Sequence, residues 1–500
     1  MTAHVLYISF KCYDSFCSNV DNHNIFWERG VVMSTPSQTV KPELVGGTRD
    51  LLPAEALAQN TVIARVRKVY ESFGFVPLET PCLERWDVLT GGAPDFNKSL
   101  FRTTIVRGSE DAGIDAEELG SSDSTLRFDL TVPLARVVSA YPTLPRPFKR
   151  YQIGRVFRGE RPQAGRFREF TQFDFDIVGS RSILADVEVI QVMYAAMRAL
   201  GVEDFVIRFN TRKVLNGLAD LVGCTNAKEL LRIIDKLDKK GFDGVAEALR
   251  RQPVNEFDDA ALAFSDAQVD RVLGFLKLQG ADTQTTLAGL KDLFVGTTSE
   301  AAVEGIKELT TIVEMLKALG IPQANWSVDL SVARGLDYYN GPVFETSLTD
   351  MPELGSVLSG GRFDGLMDRF VPGSNIAGVG ASVGIDRMVI GLQKLGLLPS
   401  VNSVTQVLVT VFAEELRTVS LVLASELRDK GAKTEIYFGE DRTLRAQLAY
   451  ATKQGIPYVV IAGPEEIEKG TVQLKDMSAR KQEVLTRDAC ADTIMAKLNS

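Results

Sequence analysis

Apolar and polar positions change their spacing several times along the chain, and each change marks an element. From Pro53 to about Phe73 apolar residues recur every three or four positions (Leu57, Val62, Ile63, Val66, Val69, Tyr70). This predicts a helix opened by proline and stopped by Gly74. Val76-Pro-Leu-Glu-Thr-Pro81 is predicted to be extended, because each proline disfavours helix at the residue before it. Leu126 to Pro133 alternates like a strand and enters a helix near Pro133. Residues 148–156 and 168–178 read as two strands joined by the Gly- and Pro-containing loop 159–165. On the second strand Asp174 and Asp176 alternate with Phe173, Phe175 and Ile177, so the two carboxylates share a face. A helix over 182–200 and a strand over 205–210 follow.

Between 212 and about 320 the three-and-four spacing takes over (Leu230, Ile233, Ile234, Leu237; Ile306, Leu309, Ile312, Val313, Leu316). This stretch reads as an inserted helical subdomain. Strand-like text resumes at Trp326, with strands around 328–330 and 342–347, and a helix is expected from Ser382 to about Leu395. Residues 397–403 read as a linker. Strands at 406–412, 434–438 and 458–461 then alternate with helices at 414–430 and 443–454, which predicts a small parallel or mixed sheet. Residues 108–125 are acidic and rich in Gly and Ser, and read as a loop or hairpin tip.

The chain has 500 residues, so two or three domains are expected. At 45% hydrophobic and 24% charged it has the composition of a soluble globular protein. No apolar run approaches a membrane span, and no membrane partner is expected. The net charge of −9 is unlike that of a general nucleic-acid binder. One stretch differs: from Arg146 to Glu169 eight Lys or Arg face two Glu. Such a cluster can hold phosphates, or it can be a solvated face. The spacings of the five Cys suggest neither a zinc site nor a disulfide framework, which fits a reducing cytoplasm. Both His, His4 and His23, fall in the first 32 residues. Beyond them, chemistry must run on Arg, carboxylates, Tyr and bound ions, with no metal held by His or Cys. The first 32 residues match no targeting signal, and Met33-Ser-Thr-Pro-Ser37 reads as an ordinary start. Translation is therefore expected to begin at Met33.

Three arginine-centred segments carry candidate chemistry. In Ala333 to Glu345, Arg334 precedes Tyr339 by five residues, and Gly335, Gly341 and Pro342 bend the backbone around them. Alone, it could be a turn with a structural arginine. In the hairpin around 156–170, Arg158 can meet a phosphate, Phe170 can lie under a planar base, and Glu160 can accept from an exocyclic amine. In Gly378 to Arg387, three glycines lead to an arginine near a helix start. That run matches neither the dinucleotide fingerprint nor the phosphate loop.

Together these segments resemble the class II aminoacyl-tRNA synthetases and, within them, the histidyl-tRNA synthetase family. Arg155-Val-Phe-Arg-Gly-Glu160 with Phe170 is similar to the second class motif, and Gly384-Ile-Asp-Arg387 to the third. The helix at 54–73 with Pro77-Leu-Glu-Thr-Pro81 resembles the first, which forms the dimer interface in the family. Arg334-Gly-Leu-Asp-Tyr-Tyr339 and Gly360-Gly-Arg-Phe-Asp-Gly365 resemble signatures specific to the histidine enzymes. The resemblance runs from about Leu44 to the C-terminus.

It implies an α+β fold: an antiparallel catalytic sheet with flanking helices over 44–396, interrupted by the helical insertion at 212–320. A linker at 397–404 and a small α/β anticodon-binding domain at 405–500 follow, with 1–43 as an extension. It further implies charging of tRNA(His) with L-histidine through a histidyl-adenylate, by a homodimer using ATP and nucleotide-borne Mg2+. By the same resemblance, Arg158, Glu160, Arg166, Phe170 and Arg387 would bind ATP. Asp129, Thr131 and Gln172 would hold the amino group of histidine, and Asp176 and Tyr339, with Tyr338, its ring. Arg334 would bridge substrate carboxylate and α-phosphate, so that Arg158 and Arg334 are the catalytic pair. Gln163 and Arg166 are candidates for the tRNA acceptor end, and Arg442 and Arg445 for phosphate or base contacts. The chain departs from the pattern at Phe363, where the family has Tyr, and at Asp129 and Asp176, where many relatives have Glu. Two rivals are a non-catalytic paralogue regulating histidine biosynthesis and a class II synthetase for proline or threonine. Retention of Arg158, Arg334 and Arg387 argues against the first, and the Arg334–Tyr339 run and Asp176 against the second.

Overall fold

The computed structural model describes residues 41–91, 99–104, 123–161, 167–255, 258, 260–279, 282–297, 299–333, 338–398 and 401–499. The expected start at Met33, the tip of the 108–125 loop, Gln163, Arg166 and Arg334 lie outside them. In chain order the strands are β1 Val76–Pro77, β2 Leu83–Arg85, β3 Ser124–Leu126, β4 Phe148–Phe157, β5 Glu169–Val178, β6 Phe205–Thr211, β7 Trp326–Val328, β8 Pro342–Leu348, β9 Ser356–Arg362 and β10 Gly378–Gly384. Nearer the C-terminus come β11 Val407–Val409, β12 Thr434–Ile436, β13 Tyr458–Ile461, β14 Thr471–Asp476 and β15 Lys481–Thr486.

Eight strands form the main sheet in the order β1-β4-β5-β10-β9-β8-β6-β7. Its six central strands pair antiparallel, and a short parallel strand closes each edge. Strand alternation gives this sheet two unlike faces. From β5, Phe173, Phe175 and Ile177 enter the apolar core. There they meet helix α1 (Pro53–Ser72), whose Tyr70 ring lies 4.7 Å from both Phe173 and Phe175. Pro53 opens α1 and Gly74, at φ +81°, follows its end, as the sequence pattern predicts. The other face of β5 carries Phe170, Gln172, Asp174 and Asp176.

Short α2 (Trp86–Thr90) precedes α3 (Thr131–Ala140) and α4 (Ile183–Ala199). Among the described residues, six helices occupy the stretch expected to be helical: α5 Arg212–Val222, α6 Ala227–Ile234, α7 Leu237–Arg250, α8 Asp266–Lys277, α9 Thr283–Leu293 and α10 Glu300–Ala318. After β10 comes α11 (Ile385–Lys394), and the C-terminal region adds α12 Arg417–Asp429, α13 Leu444–Gln454, α14 Pro464–Glu468 and α15 Arg487–Asn499. Its own sheet runs β12-β11-β13-β14-β15, parallel through β13 and antiparallel beyond, hence mixed. No helix among the described residues is long and apolar enough to cross a membrane.

Several boundaries differ from the sequence reading. The expected strand 126–133 is three residues, Ser124–Leu126, paired with β2, and α3 starts at Thr131 rather than Pro133. Strand β7 begins at Trp326, where strand-like text resumes, but spans Trp326–Val328 rather than 328–330. Ser382 to Gly384 end β10 rather than starting a helix. Strand β9 has no counterpart in the sequence reading. Nor does the basic cluster form one face. Lys149 reaches Glu188 of α4 at 2.6 Å, whereas Arg150, its neighbour, is fully buried on the opposite side.

Candidate active site

The polar face of the sheet bears a cavity of about 310 Å3. Arg158, Glu160, Phe170, Gln172, Tyr339 and Arg387 line it, from four separate chain segments. Register explains much of the gathering. Gln172 stands opposite Gly154 on β4 and Gly384 on β10, and Ser382 stands opposite Asp174. Arg158 follows the end of β4. Its Nε donates to Phe128 O at 3.2 Å and its guanidinium lies 5.0 Å from the Phe170 ring centre. Arg387, in the first turn of α11, donates from Nη1 to Ser356 O on β9.

Asp129, Asp176 and Tyr338 stand around Tyr339, and Thr131 beside Tyr338, none of them on the cavity wall. Asp129 is 1% exposed and lies two residues before α3, its Oδ1 accepting from Val132 N at 3.3 Å. Its Oδ2 accepts from the Tyr338 hydroxyl at 2.8 Å. Asp176 lies with Oδ2 2.8 Å from Arg150 Nη2, though without hydrogen-bond alignment. That nitrogen donates to Leu130 O at 3.0 Å. Opposite Asp176 stands Gly380. A Cβ there would lie 2.2 Å from Asp176 Oδ1, so glycine is required for the carboxylate to nest against β10. Gly361 similarly admits the Tyr339 ring, 3.0 Å from where a Cβ would stand. Phe363, where the family has Tyr, is buried with its ring edge on Gly378.

Burial, followed by Coulombic effects of Asp174 and Asp129 and against the pull of Arg150, pushes Asp176 up to about 7. Asp174 is raised to about 6, again chiefly by burial and against Arg150. Burial first, then Asp176, Asp174 and Asp129, raises the Tyr339 hydroxyl above the ordinary phenol range. Tyr339 therefore remains a neutral donor at neutral pH.

The histidyl-tRNA synthetase family model matches residues 47–388, and an anticodon binding domain model matches 406–497. The chain belongs to the histidyl-tRNA synthetase family. Histidine–tRNA ligase of Wolinella succinogenes is 40% identical over 460 residues, covering 91% of this chain and 98% of that protein. The Helicobacter pylori (strain G27) ligase is 40% identical over 445 residues, 89% of this chain and 95% of the relative. The solved histidyl-tRNA synthetase of a Nostoc species superposes with a TM-score of 0.78 at 32% identity, covering 92% of this chain and all of that one. A Bacillus halodurans structure described as an ATP phosphoribosyltransferase regulatory subunit or histidyl-tRNA synthetase shares the fold at 23% identity and a TM-score of 0.64.

Sequence reasoning overlooked Phe167, Glu345 and Asp386, which also line the cavity of this histidyl-tRNA synthetase relative. Asp386 ties the site together: it is 2.9 Å from Arg49 Nη2, and accepts from Gln59 at 3.3 Å and Thr171 N at 2.8 Å. Arg49 in turn stacks on Phe167 at 4.3 Å. No spacing rule links Arg49, Phe167 and Asp386. Asp174 did carry a signal, its shared parity with Asp176. In the C-terminal domain Arg442 pairs with Glu414.

Proposed function

We infer that this chain is a histidine–tRNA ligase that activates L-histidine with ATP and transfers it to tRNA(His). The carrying observation is the single cavity that joins Arg158, Phe170 and Arg387 to Gln172 and Tyr339. Arg158 would hold the α-phosphate, Phe170 and Glu160 the adenine, and Arg387 the outer phosphates, with Arg166 a further nucleotide contact. Guanidinium groups suit this because their planar forks match phosphate oxygens. Asp129, Thr131 and Gln172 would take the α-ammonium. Asp176 and Tyr339, with Tyr338 behind them, would read the ring. A neutral imidazole has one donor and one acceptor, and a carboxylate plus a phenol match both. Arg334 would span the carboxylate and the α-phosphate.

In the first step a histidine carboxylate oxygen attacks the α-phosphorus in line. The bond to the bridging oxygen breaks and pyrophosphate leaves. Fixed cations offset the repulsion of two anions and the charge of the pentavalent state. A terminal ribose hydroxyl of the tRNA then attacks the acyl carbon and AMP leaves. No side-chain nucleophile is needed, so the lack of His beyond residue 23 is no obstacle. Mg2+ favours carboxylate and hydroxyl oxygens, a set offered by Glu345 and Ser359, opposite each other on β8 and β9 at the cavity wall. Bound with ATP, it would screen the phosphate charge.

The domain limits proposed with this reading are 44–396 for catalysis, including the insertion at 212–320, 397–404 as linker and 405–500 for the anticodon, after an extension over 1–43. A homodimer built on α1 and β1 belongs to the same reading, as does a cytoplasmic location, with which the free thiols of Cys82, Cys224 and Cys490 agree. The regulatory-paralogue alternative is disfavoured because the chain retains Arg158 and Arg387 in one cavity and matches an anticodon-binding domain. ATP–pyrophosphate exchange measured with each amino acid in turn tests the proposal. Exchange is expected with histidine alone; exchange driven by another amino acid, or by none, refutes it.

A further inference from the structure

The site face of β5 holds acceptors that the protein leaves unmatched. Asp174 Oδ1 and Gln172 Oε1 are buried and receive no hydrogen bond. Asp174 is only 3% exposed. A buried acceptor without a donor costs about 1–3 kcal/mol, more when charged, so such groups persist where something else supplies the donor. Asp174 stands between Gln172 and Asp176 on the same face and opposite Ser382 of β10. Ser382 Oγ accepts from Gln172 Nε2 at 3.0 Å, and its hydroxyl beside Asp174 favours the ionised carboxylate. Gln172 and Ser382, the neighbours of Asp174 along β5 and across to β10, line the cavity, whereas Asp174 lies just beneath that wall with Oδ1 buried and unpartnered.

Arg150 also has unpaired donors, Nε and Nη1. It stands opposite Asp176, however, one alternation further from Gln172. The acceptor imbalance nearer the cavity therefore calls for a ligand. Two neighbouring acceptors, one of them charged, match a group with several N–H donors and a positive charge. A primary ammonium has three donors, whereas a neutral imidazole has one. Asp174 has no role among the residues that the family resemblance assigns.

We propose that Asp174 is a substrate-binding residue that accepts a hydrogen bond from the α-ammonium of histidine beside Gln172, selecting the amino acid over imidazole compounds lacking that amine. This rests on the synthetase reading above. Charge assistance makes such a bond one of the stronger kinds.

The test uses the full chain and two ligands, L-histidine and 3-(imidazol-4-yl)propionate, which keeps ring and carboxylate but has no amine. Binding is measured by calorimetry for wild type and Asp174→Asn. Histidine should weaken about tenfold or more and the deamino analogue by less than about twofold. The KM for ATP should stay unchanged. Equal weakening of both ligands would assign Asp174 to the scaffold and overturn the proposal, as would no change in either. If Asp174→Asn does not fold, Ser382→Ala, which removes the hydroxyl beside Asp174, is judged by the same selectivity. Histidine-dependent exchange by wild type separates the two levels. Its absence defeats the synthetase reading, whereas its presence with equal weakening defeats only the role of Asp174.

Discussion

Two buried arginine–carboxylate pairs lie on this fold, and they are satisfied to very different degrees. Arg362, at the end of β9, meets Asp186 in the first turn of α4 through both Nε and Nη2. Its Nη1 donates to Ser180 O and Asp364 Oδ1, each at 3.1 Å, and Nη2 also reaches Ser182 O at 3.3 Å. Asp364 in turn accepts from Gly378 N at 3.0 Å. Arg150 and Asp176 are as deeply buried, yet Arg150 Nε and Nη1 and Asp176 Oδ2 have no hydrogen-bond partner. Both pairs carry residues that a family signature picks out. Polar accounting tells them apart: it closes around Arg362 and stays open around Arg150 and Asp176, as the proposed reading expects of a scaffold pair and of a pair that a ligand completes.

The comparison is broken most forcefully at the closed pair. Arg362→Met leaves Asp186 buried without its partner, which costs about 3–5 kcal/mol. Urea unfolding should show that loss, and Asp186→Leu added to it should restore part of it. If Arg362→Met retained wild-type stability, the scaffold reading of the Gly360-Gly-Arg-Phe-Asp-Gly365 signature would be wrong. Next in size is an arginine on the open side. Arg158→Ala should slow histidine-dependent exchange by about 10²–10³, roughly 2.7–4 kcal/mol of barrier, with little change in unfolding midpoint. A variant that lost stability in proportion to activity would move Arg158 to the scaffold class.

The same contrast explains what was legible in the sequence. Helix α1 and strands β4 and β5 announce themselves because a packed apolar face forces periodicity on the side chains. Asp176, Gln172 and Phe170 share the parity of β5, so their common face could be read before any fold was known. Strands β9 and β10 gave no such signal. Gly360, Gly361, Gly378, Gly380 and Gly384 have no side chains to alternate, and their extended form is imposed by the ladder with β5 and β8. The feature that hid β10 from a pattern reader, its bare surface, is what admits Asp176. Asp129 was expected on a strand. It sits instead just before α3, because an aspartate that can accept from Val132 N competes with strand continuation there. Glu345 and Asp386 lie inside segments that the sequence singles out for their arginines, and only the sheet register and the start of α11 show that their carboxylates reach the cavity too, as Phe167 does.

The smallest effect concerns the proton count of the open pair. Burial and two neighbouring carboxylates hold folded Asp176 at about 7, against about 3.8 when unfolded. The folded state therefore keeps a proton that the unfolded state releases. Its stabilising contribution is whole below about pH 3.8 and disappears as pH rises through about 7. Asparagine at 176 cannot titrate, so the unliganded wild type should lose stability relative to Asp176→Asn on going from pH 6 to pH 7, by about 1 kcal/mol. Histidine should oppose this loss, because a ring N–H donor favours the ionised carboxylate and lowers its folded pKa. Paired thermal melts at the two pH values, with and without histidine, measure both parts. A wild-type advantage that grew with pH in the absence of ligand would mean that Arg150 already neutralises Asp176, closing the second pair as fully as the first.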